Sequence, residues 1–349
     1  MSRRRRARTP ALISAVTAGL LPLAACATTT ETMDPADGKP AAKAAPGFPY
    51  TVTNCGVTTT YQAPPKRVVT MNQHVTEIML ALGLEKSLVG TAYLDDRILP
   101  AYEKAYKSVP VLAAEYPSKE KLLAANPDFV YGGYASAFDA KDGRSRDDLK
   151  ASGIGTRLNL ESCADGGTST STSSASPSAS TSMDDVYREI EETGRTFGVQ
   201  DRAEKWIADA RTTVASTADG LKGVEPLSVF VYDSGDKTAF TAGGRGIGNE
   251  LIELAGGRNV FADLDKPFGD ATWEEVVARE PDVIVIYDYG STTVARKKKR
   301  LLEDPVLKDV PAVRNQRFAV MPLSDVVLGV RAPAAVGRLA AQLHPETVK

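Results

Sequence analysis

Histidine is almost missing from this 349-residue sequence: His74 and His344 are its only two. Zinc and manganese receptor sites draw on several His and carboxylate ligands, so no resident metal centre is expected. Catalytic constellations are missing too. No Ser/His/Asp set or paired-carboxylate arrangement stands out, and the glycine-rich stretch Gly244-Arg245-Gly246-Ile247-Gly248 has the wrong spacing for a dinucleotide fingerprint and does not directly follow a strand. A dinucleotide-dependent enzyme is therefore a remote alternative, and the chain reads as a non-enzyme with no cofactor of its own. Excess positive charge is also lacking, with 42 Lys and Arg against 44 Asp and Glu and a formal net charge of −2. Five arginines precede Cys26, so the remainder carries −7, an acidic body that argues against nucleic acid as a partner.

Long apolar runs are scarce as well. The run from Ala11 to Leu23 falls short of the roughly 20 residues that a spanning helix needs. It follows Arg3, Arg4, Arg5, Arg6 and Arg8, and a basic start before a short apolar core marks residues 1–25 as a signal peptide. Leu23-Ala24-Ala25-Cys26 matches a lipoprotein cleavage pattern, in which Cys26 is acylated and becomes the new first residue. The body is then extracytoplasmic, held to the outer face of the cell membrane through Cys26; export by the general or the twin-arginine route stays open. Residues 26–48 are rich in Thr, Ala, Pro and Gly, cannot bury enough surface to fold, and read as a flexible tether. Only Cys55 and Cys163 remain beyond Cys26, and in an oxidising compartment a lone pair reads as a disulfide.

About 300 residues is too many for one typical core, so two lobes are expected. Short β-rich runs at Arg67–Met71, Leu88–Tyr93 and Asp128–Tyr131 alternate with helical spacing, as at Val75 to Leu82. That alternation predicts an α/β fold with mostly parallel sheets flanked by helices. Residues 164–183, nearly all Ser, Thr, Gly and Ala, read as a disordered surface insertion. Asp184–Phe197 and Asp201–Leu221 follow as helices, and the βα pattern restarts after Pro226. The expected plan is an N-terminal lobe over 49–200, a bridging helix over 201–222 and a C-terminal lobe over 223–349.

The chain also echoes itself. Ser118-Lys119-Glu120-Lys121-Leu122 running into Asn126-Pro127-Asp128 has a partner in Thr272-Trp273-Glu274-Glu275-Val276 running into Glu280-Pro281-Asp282. Each reads as a hydroxyl N-cap, an acid in the first turn, an apolar helix, then Pro-Asp into a buried strand. Helix capping is the local reason for Glu120 and Glu274.

Pro65-Lys66-Arg67-Val68-Val69, Thr76-Glu77-Ile78-Met79-Leu80-Ala81-Leu82-Gly83, Val89-Gly90 and Asn126-Pro127-Asp128 resemble the first lobe of ABC-importer substrate-binding proteins for ferric siderophores, haem and cobalamin. Asn249 to Phe261 and Arg279-Glu280-Pro281-Asp282 resemble their second lobe. The resemblance covers roughly residues 60–345. It implies two α/β lobes bridged by one long helix, a ligand held between them, and a monomer that meets a permease dimer. It also implies that Glu120 and Glu274 dock on permease arginines, because they sit where that pattern places them. The implied ligand is an iron chelate of the ferric siderophore type, with haem or a corrinoid as alternatives.

Ligands of open α/β sheets bind beyond the carboxyl ends of the strands. That rule selects Asn72, Gln73, His74, Tyr93, Asp95, Tyr131 and Tyr134 in the first lobe, and Tyr232, Arg245, Tyr287 and Tyr289 in the second. Tyr131 and Tyr287 could equally face the sheet packing. The expected lining set is His74, Tyr93, Tyr134, Tyr232, Arg245 and Tyr289, with His74 at the floor and Trp206 on the bridging helix away from the ligand. Arg245 would meet an anionic chelate. His74 either ligates iron or caps the helix that begins beside it.

Overall fold

The computed structural model describes residues 45–163 and 180–348. The expected signal peptide, Cys26 and most of the expected tether lie outside these residues, as does the insertion over 164–179. The described residues belong to one compact unit.

The unit opens with a hairpin, β1 (Tyr50–Asn54) and β2 (Val57–Tyr61), paired antiparallel. Its turn residues Cys55 (φ 47°) and Gly56 (φ 79°) both lie in the left-handed region. This is the two-residue geometry that suits the twist of paired strands and favours glycine.

The first lobe's sheet has five strands, β3 (Val68–Met71), β4 (Leu88–Ala92), β5 (Val111–Ala113), β6 (Phe129–Gly132) and β7 (Gly155–Leu158). They run in the order β5-β4-β3-β6-β7, all parallel. Helices α1 (Gln73–Ala81), α2 (Glu103–Tyr106), α3 (Lys119–Ala124) and α4 (Arg146–Ala151) belong to this lobe. Strand alternation sends Val68, Phe129 and Tyr131 to one face and Val69, Met71 and Val130 to the other, so both faces are covered.

The second lobe repeats the plan with β8 (Leu227–Tyr232), β10 (Gly257–Asn259), β12 (Val283–Asp288) and β13 (Phe318–Pro322) in the order β10-β8-β12-β13, again all parallel. A small antiparallel pair, β9 (Ala239–Ala242) and β11 (Phe268–Ala271), stands beside it. Helices α7 (Ile247–Leu254), α8 (Trp273–Ala278), α9 (Val294–Glu303), α10 (Pro311–Arg314) and α11 (Ala332–Leu343) complete it.

Between the lobes run α5 (Met183–Thr196) and α6 (Gln200–Gly220). At 1.5 Å per residue α6 is about 31 Å long, enough to reach along both lobes. Trp206 and Ile207 pack against the apolar clusters of both. The expected insertion ends earlier than composition suggests. Ser182 is the N-cap of α5, with Asp185 returning the capping-box bond, and Met183 is already buried helix.

The two Pro-Asp segments do the same work in each lobe. Asn126 (φ 48°) and Glu280 (φ 44°) both take the left-handed conformation after their helices. Asp128 then accepts from the amides of Lys66 and Arg67, and Asp282 from that of Ser228, tying the segment to the chain entering each lobe's first strand.

Cys55 and Cys163 form a disulfide with Cα atoms 5.1 Å apart and a sequence separation of 108. It fixes the hairpin turn to the chain just past β7, where Asn54 also bonds both backbone groups of Leu158 at 2.8 Å. Loop-closure entropy assigns such a link about 4 to 5 kcal/mol at most. Thiol labelling of the denatured, unreduced protein is expected to leave Cys55 and Cys163 unmodified, and stoichiometric labelling of both would refute the pairing.

Candidate functional site

In each sheet the order reverses at one place, between β3 and β6 in the first lobe and between β8 and β12 in the second. Such switch points open a crevice at the carboxyl ends of the strands. The residues just past those four strands are Asn72–His74, Gly133–Tyr134, Asp233 and Tyr289.

At the first switch point His74 and Tyr134 meet edge to face, ring centres 5.1 Å apart. His74 is only 3% exposed. It lies against Gly133, where no side chain would fit, and against Gly329 of the second lobe. Burial pushes its imidazole down to about 4, despite a hydrogen bond to the Gly133 backbone. His74 is therefore a neutral histidine packed on both lobes. No cluster of three His, Cys, Asp or Glu suited to a metal occurs among the described residues.

Tyr93 (φ 52°) is held half-exposed at the end of β4 and stacks on Tyr116, ring centres 4.6 Å apart. The Tyr116 hydroxyl donates to Asn72 Oδ1 at 3.1 Å. Asn72 Nδ2, Gln73 Oε1 and Asp95 Oδ2 are buried and meet hydrogen-bond geometry with no described protein atom. Burial pushes the Asp95 carboxyl up to about 6, opposed by the nearby Asn72 side chain and the Gln73 amide.

At the second switch point the Tyr289 hydroxyl donates to Asp233 Oδ1. Lys297, 3% exposed, donates to the carbonyls of Asp233 and Tyr287 and lies 4.8 Å from the centre of the Tyr289 ring. Burial raises the Asp233 carboxyl and lowers the Lys297 ammonium.

The two switch points face one another. Burial raises the Tyr134 phenol well above its ordinary range, and Asp95, Glu161, Tyr116 and, from the second lobe, Tyr289 add to it. Four contacts hold this arrangement. Arg331 grips Glu77 with two bonds, 2.6 and 2.7 Å, with side chains 6% and 1% exposed. Arg331 also reaches Asp96 at 3.3 Å. Asn159 donates to the Leu328 carbonyl at 3.0 Å. Glu161 accepts from Ile247, at the start of α7, and from Leu328.

Two expected lining residues lie elsewhere. Tyr232 is 3% exposed, packs edge-on against Trp273 and donates to Gly235. The pleat explains this: Phe230 and Tyr232 share one buried face of β8, so Tyr232 turns into the packing around Trp273. Arg245 pairs with Asp265 and carries the backbone carbonyl that accepts from Thr181. Tyr131 and Tyr287 are also interior; Tyr131 donates to Glu189, which Arg157 holds at 2.8 Å. Sequence reasoning missed Tyr116, Asp233, Glu161, Lys297 and the Glu77–Arg331 pair. Asp233 was within reach as the first residue after β8, whereas the others depend on pairings across the fold.

The repeated glutamates are exposed in the first turns of α3 and α8. At α8 the capping box is made by Thr272 and Glu275, which leaves Glu274 outside it. Glu120 is held below its usual range by its own amide and Ser118.

A family model described as "Periplasmic binding protein" matches residues 68–324. The chain is 26% identical over 307 residues to the uncharacterized ABC transporter substrate-binding lipoprotein YvrC of Bacillus subtilis, covering 86% of this chain and 88% of that one. It is 23% identical over 222 residues to the vitamin B12-binding protein of Vibrio parahaemolyticus, covering 63% and 70%. A crystal structure from Saccharomonospora viridis, described as an ABC-type Fe3+-hydroxamate transport system, superposes with a TM-score of 0.69 at 26% identity, covering 85% of this chain and 99% of that one.

His74 gives the site a pH signature. Its folded value of about 4 lies below the unfolded 6.5, so the stability its neutral form contributes is full above 6.5 and lost as pH falls through 4. His74→Gln should therefore gain on the parent by about 3 kcal/mol between pH 7 and 4, at 1.36 kcal/mol per unit. Asp95 titrates in both proteins, so its opposite contribution cancels in the difference. Urea denaturation across this range measures it, and a constant difference would show that His74 is not held neutral.

Proposed function

Because this chain belongs to the periplasmic binding protein family, we propose that it captures a ferric siderophore-type chelate between its two lobes and delivers it to an ABC importer. It is a substrate-binding transport protein, not an enzyme, and it works outside the cytoplasm. The observation that carries the ligand reading is the pair of facing switch points, walled by Tyr93, Tyr116, Tyr134 and Tyr289. Aromatic walls supply apolar area and phenolic hydrogen bonds, which suits a bulky, oxygen-rich chelate. The likeness to the Fe3+-hydroxamate structure supports it. A corrinoid is the second reading, favoured by the similarity to vitamin B12-binding proteins.

On this account Cys26 carries a lipid that keeps the body at the membrane, and Glu120 and Glu274 meet arginines of a permease dimer. Their places in the two repeats put one exposed carboxylate on each lobe, and Glu274 has no capping duty to explain it. Charged contacts of this kind set register and encounter rate. The double variant Glu120→Gln/Glu274→Gln is expected to keep its thermal midpoint and its affinity for the chelate, yet to lose uptake in cells. Uptake at the parental rate would refute the docking role of both residues.

A further inference from the structure

The cleft wall of the first lobe is short of available positive charge. The charged neighbour that acts on Asp95 is another carboxylate, Asp96, and those that act on Tyr134 are Asp95 and Glu161. Among the described residues, three of the cations nearby are already engaged. Arg331 is taken by Glu77, Asp96 and Asp325, and Lys297 by two backbone carbonyls. Arg144, behind the Tyr116 ring, bonds the Ala137 carbonyl and Asp142. Arg97, two residues past Asp95, is exposed.

The unmet hydrogen-bonding capacity points the same way. Asn72 and Gln73 are 0% and 1% exposed; Gln73 Oε1 and Asp95 Oδ2 have no partner among the described residues, while the Asn72 side chain already faces the Asp95 carboxyl. Both unpaired atoms are acceptors. Buried polar atoms are rarely left unpaired, so two acceptors together at the end of one sheet mark a place that a ligand completes. Acceptors beside an uncompensated carboxylate call for donors from that ligand, and they repel an anion.

We propose that the cleft takes a chelate of neutral or positive charge, whose outward N–H or O–H groups donate to Asp95 and Gln73, and that it rejects anionic chelates of the same size. This rests on the chelate-capture reading above. The Tyr93–Tyr116 stack covers the apolar face.

The test uses the purified, oxidised protein and calorimetric titration with two matched pairs: ferrioxamine B against its N-succinyl derivative, and cyanocobalamin against a monocarboxylate derivative. At a pH where Asp95 is ionised, the member without the added carboxylate should bind about tenfold tighter or more, in whichever pair binds. Asp95→Asn should bring that ratio toward unity. The parent protein offers a second measure that needs no substitution. Its ratio should shrink as pH falls through about 6, where Asp95 takes up a proton while His74 stays neutral to about 4. Equal or tighter binding of the carboxylated members, or a ratio unmoved by both Asp95→Asn and acid, would overturn the inference and leave chelate capture standing. Failure of all four compounds to bind would overturn the chelate-capture reading and this inference with it.

Discussion

The bidentate pair between Glu77 and Arg331 joins positions 254 residues apart and is closed off from water. Two charges buried this deeply tolerate only each other, since removing one partner leaves the other stranded at a cost of about 3 to 5 kcal/mol. Glu77 sits on the helix that starts beside His74, and Arg331 immediately precedes α11. Holding those two residues together therefore sets the distance between the first lobe's switch point and the second lobe. Glu77 is braced by Gln73 at 2.9 Å and by the Leu99 amide at 2.8 Å, while Arg331 also lies near Asp325, which Arg338 holds at 2.7 Å. The clamp is thus part of a network, and a network fixes geometry better than a single pair.

With the lobes held this way, the two strand-order reversals become one site. Each contributes a small cluster that its own sheet builds: His74 with Tyr134 on one side, Asp233 with Tyr289 and Lys297 on the other. Neither cluster alone would enclose a bulky ligand. Placed opposite one another, they offer aromatic surface, phenolic hydroxyls and unpaired acceptors. Trp206 and Ile207 on α6, packed into both lobes' cores, oppose any independent drift of the two halves. On the proposed function, binding and delivery divide between surfaces: the ligand would meet the strand ends, while Glu120 and Glu274 sit at the exposed starts of the two repeated helices.

How much of this could be read from the residues follows from the range of the interactions. The parallel strands were legible because both faces of each sheet are buried, so β3, β6 and β12 are short apolar runs. The long helix and the Pro-Asp repeats were legible because caps and stops are local chemistry. The hairpin β1–β2 went unread, although Asn54-Cys55-Gly56 between alternating Thr and Val was its signal. At the site, position after a strand selected His74, Tyr93, Tyr134 and Tyr289, and the fold places them at strand ends. It also selected Tyr232, which the pleat turns into the packing around Trp273, and Arg245, whose guanidinium meets an acid twenty residues later. The Glu77–Arg331 clamp was out of reach altogether. Nothing local distinguishes a glutamate on an apolar helix that is paired across the fold from one that is not.

The claim that this clamp sets how the lobes face each other can be measured directly. Spin labels at exposed positions 141 and 299, one in each lobe, report the interlobe distance by pulsed electron resonance while the Cys55–Cys163 pair stays oxidised. The account predicts one narrow distance distribution for the parent protein. It predicts a broadened or shifted distribution for Arg331→Met in a sample whose circular dichroism shows that the protein remains folded. The same narrow distribution in both proteins would contradict it.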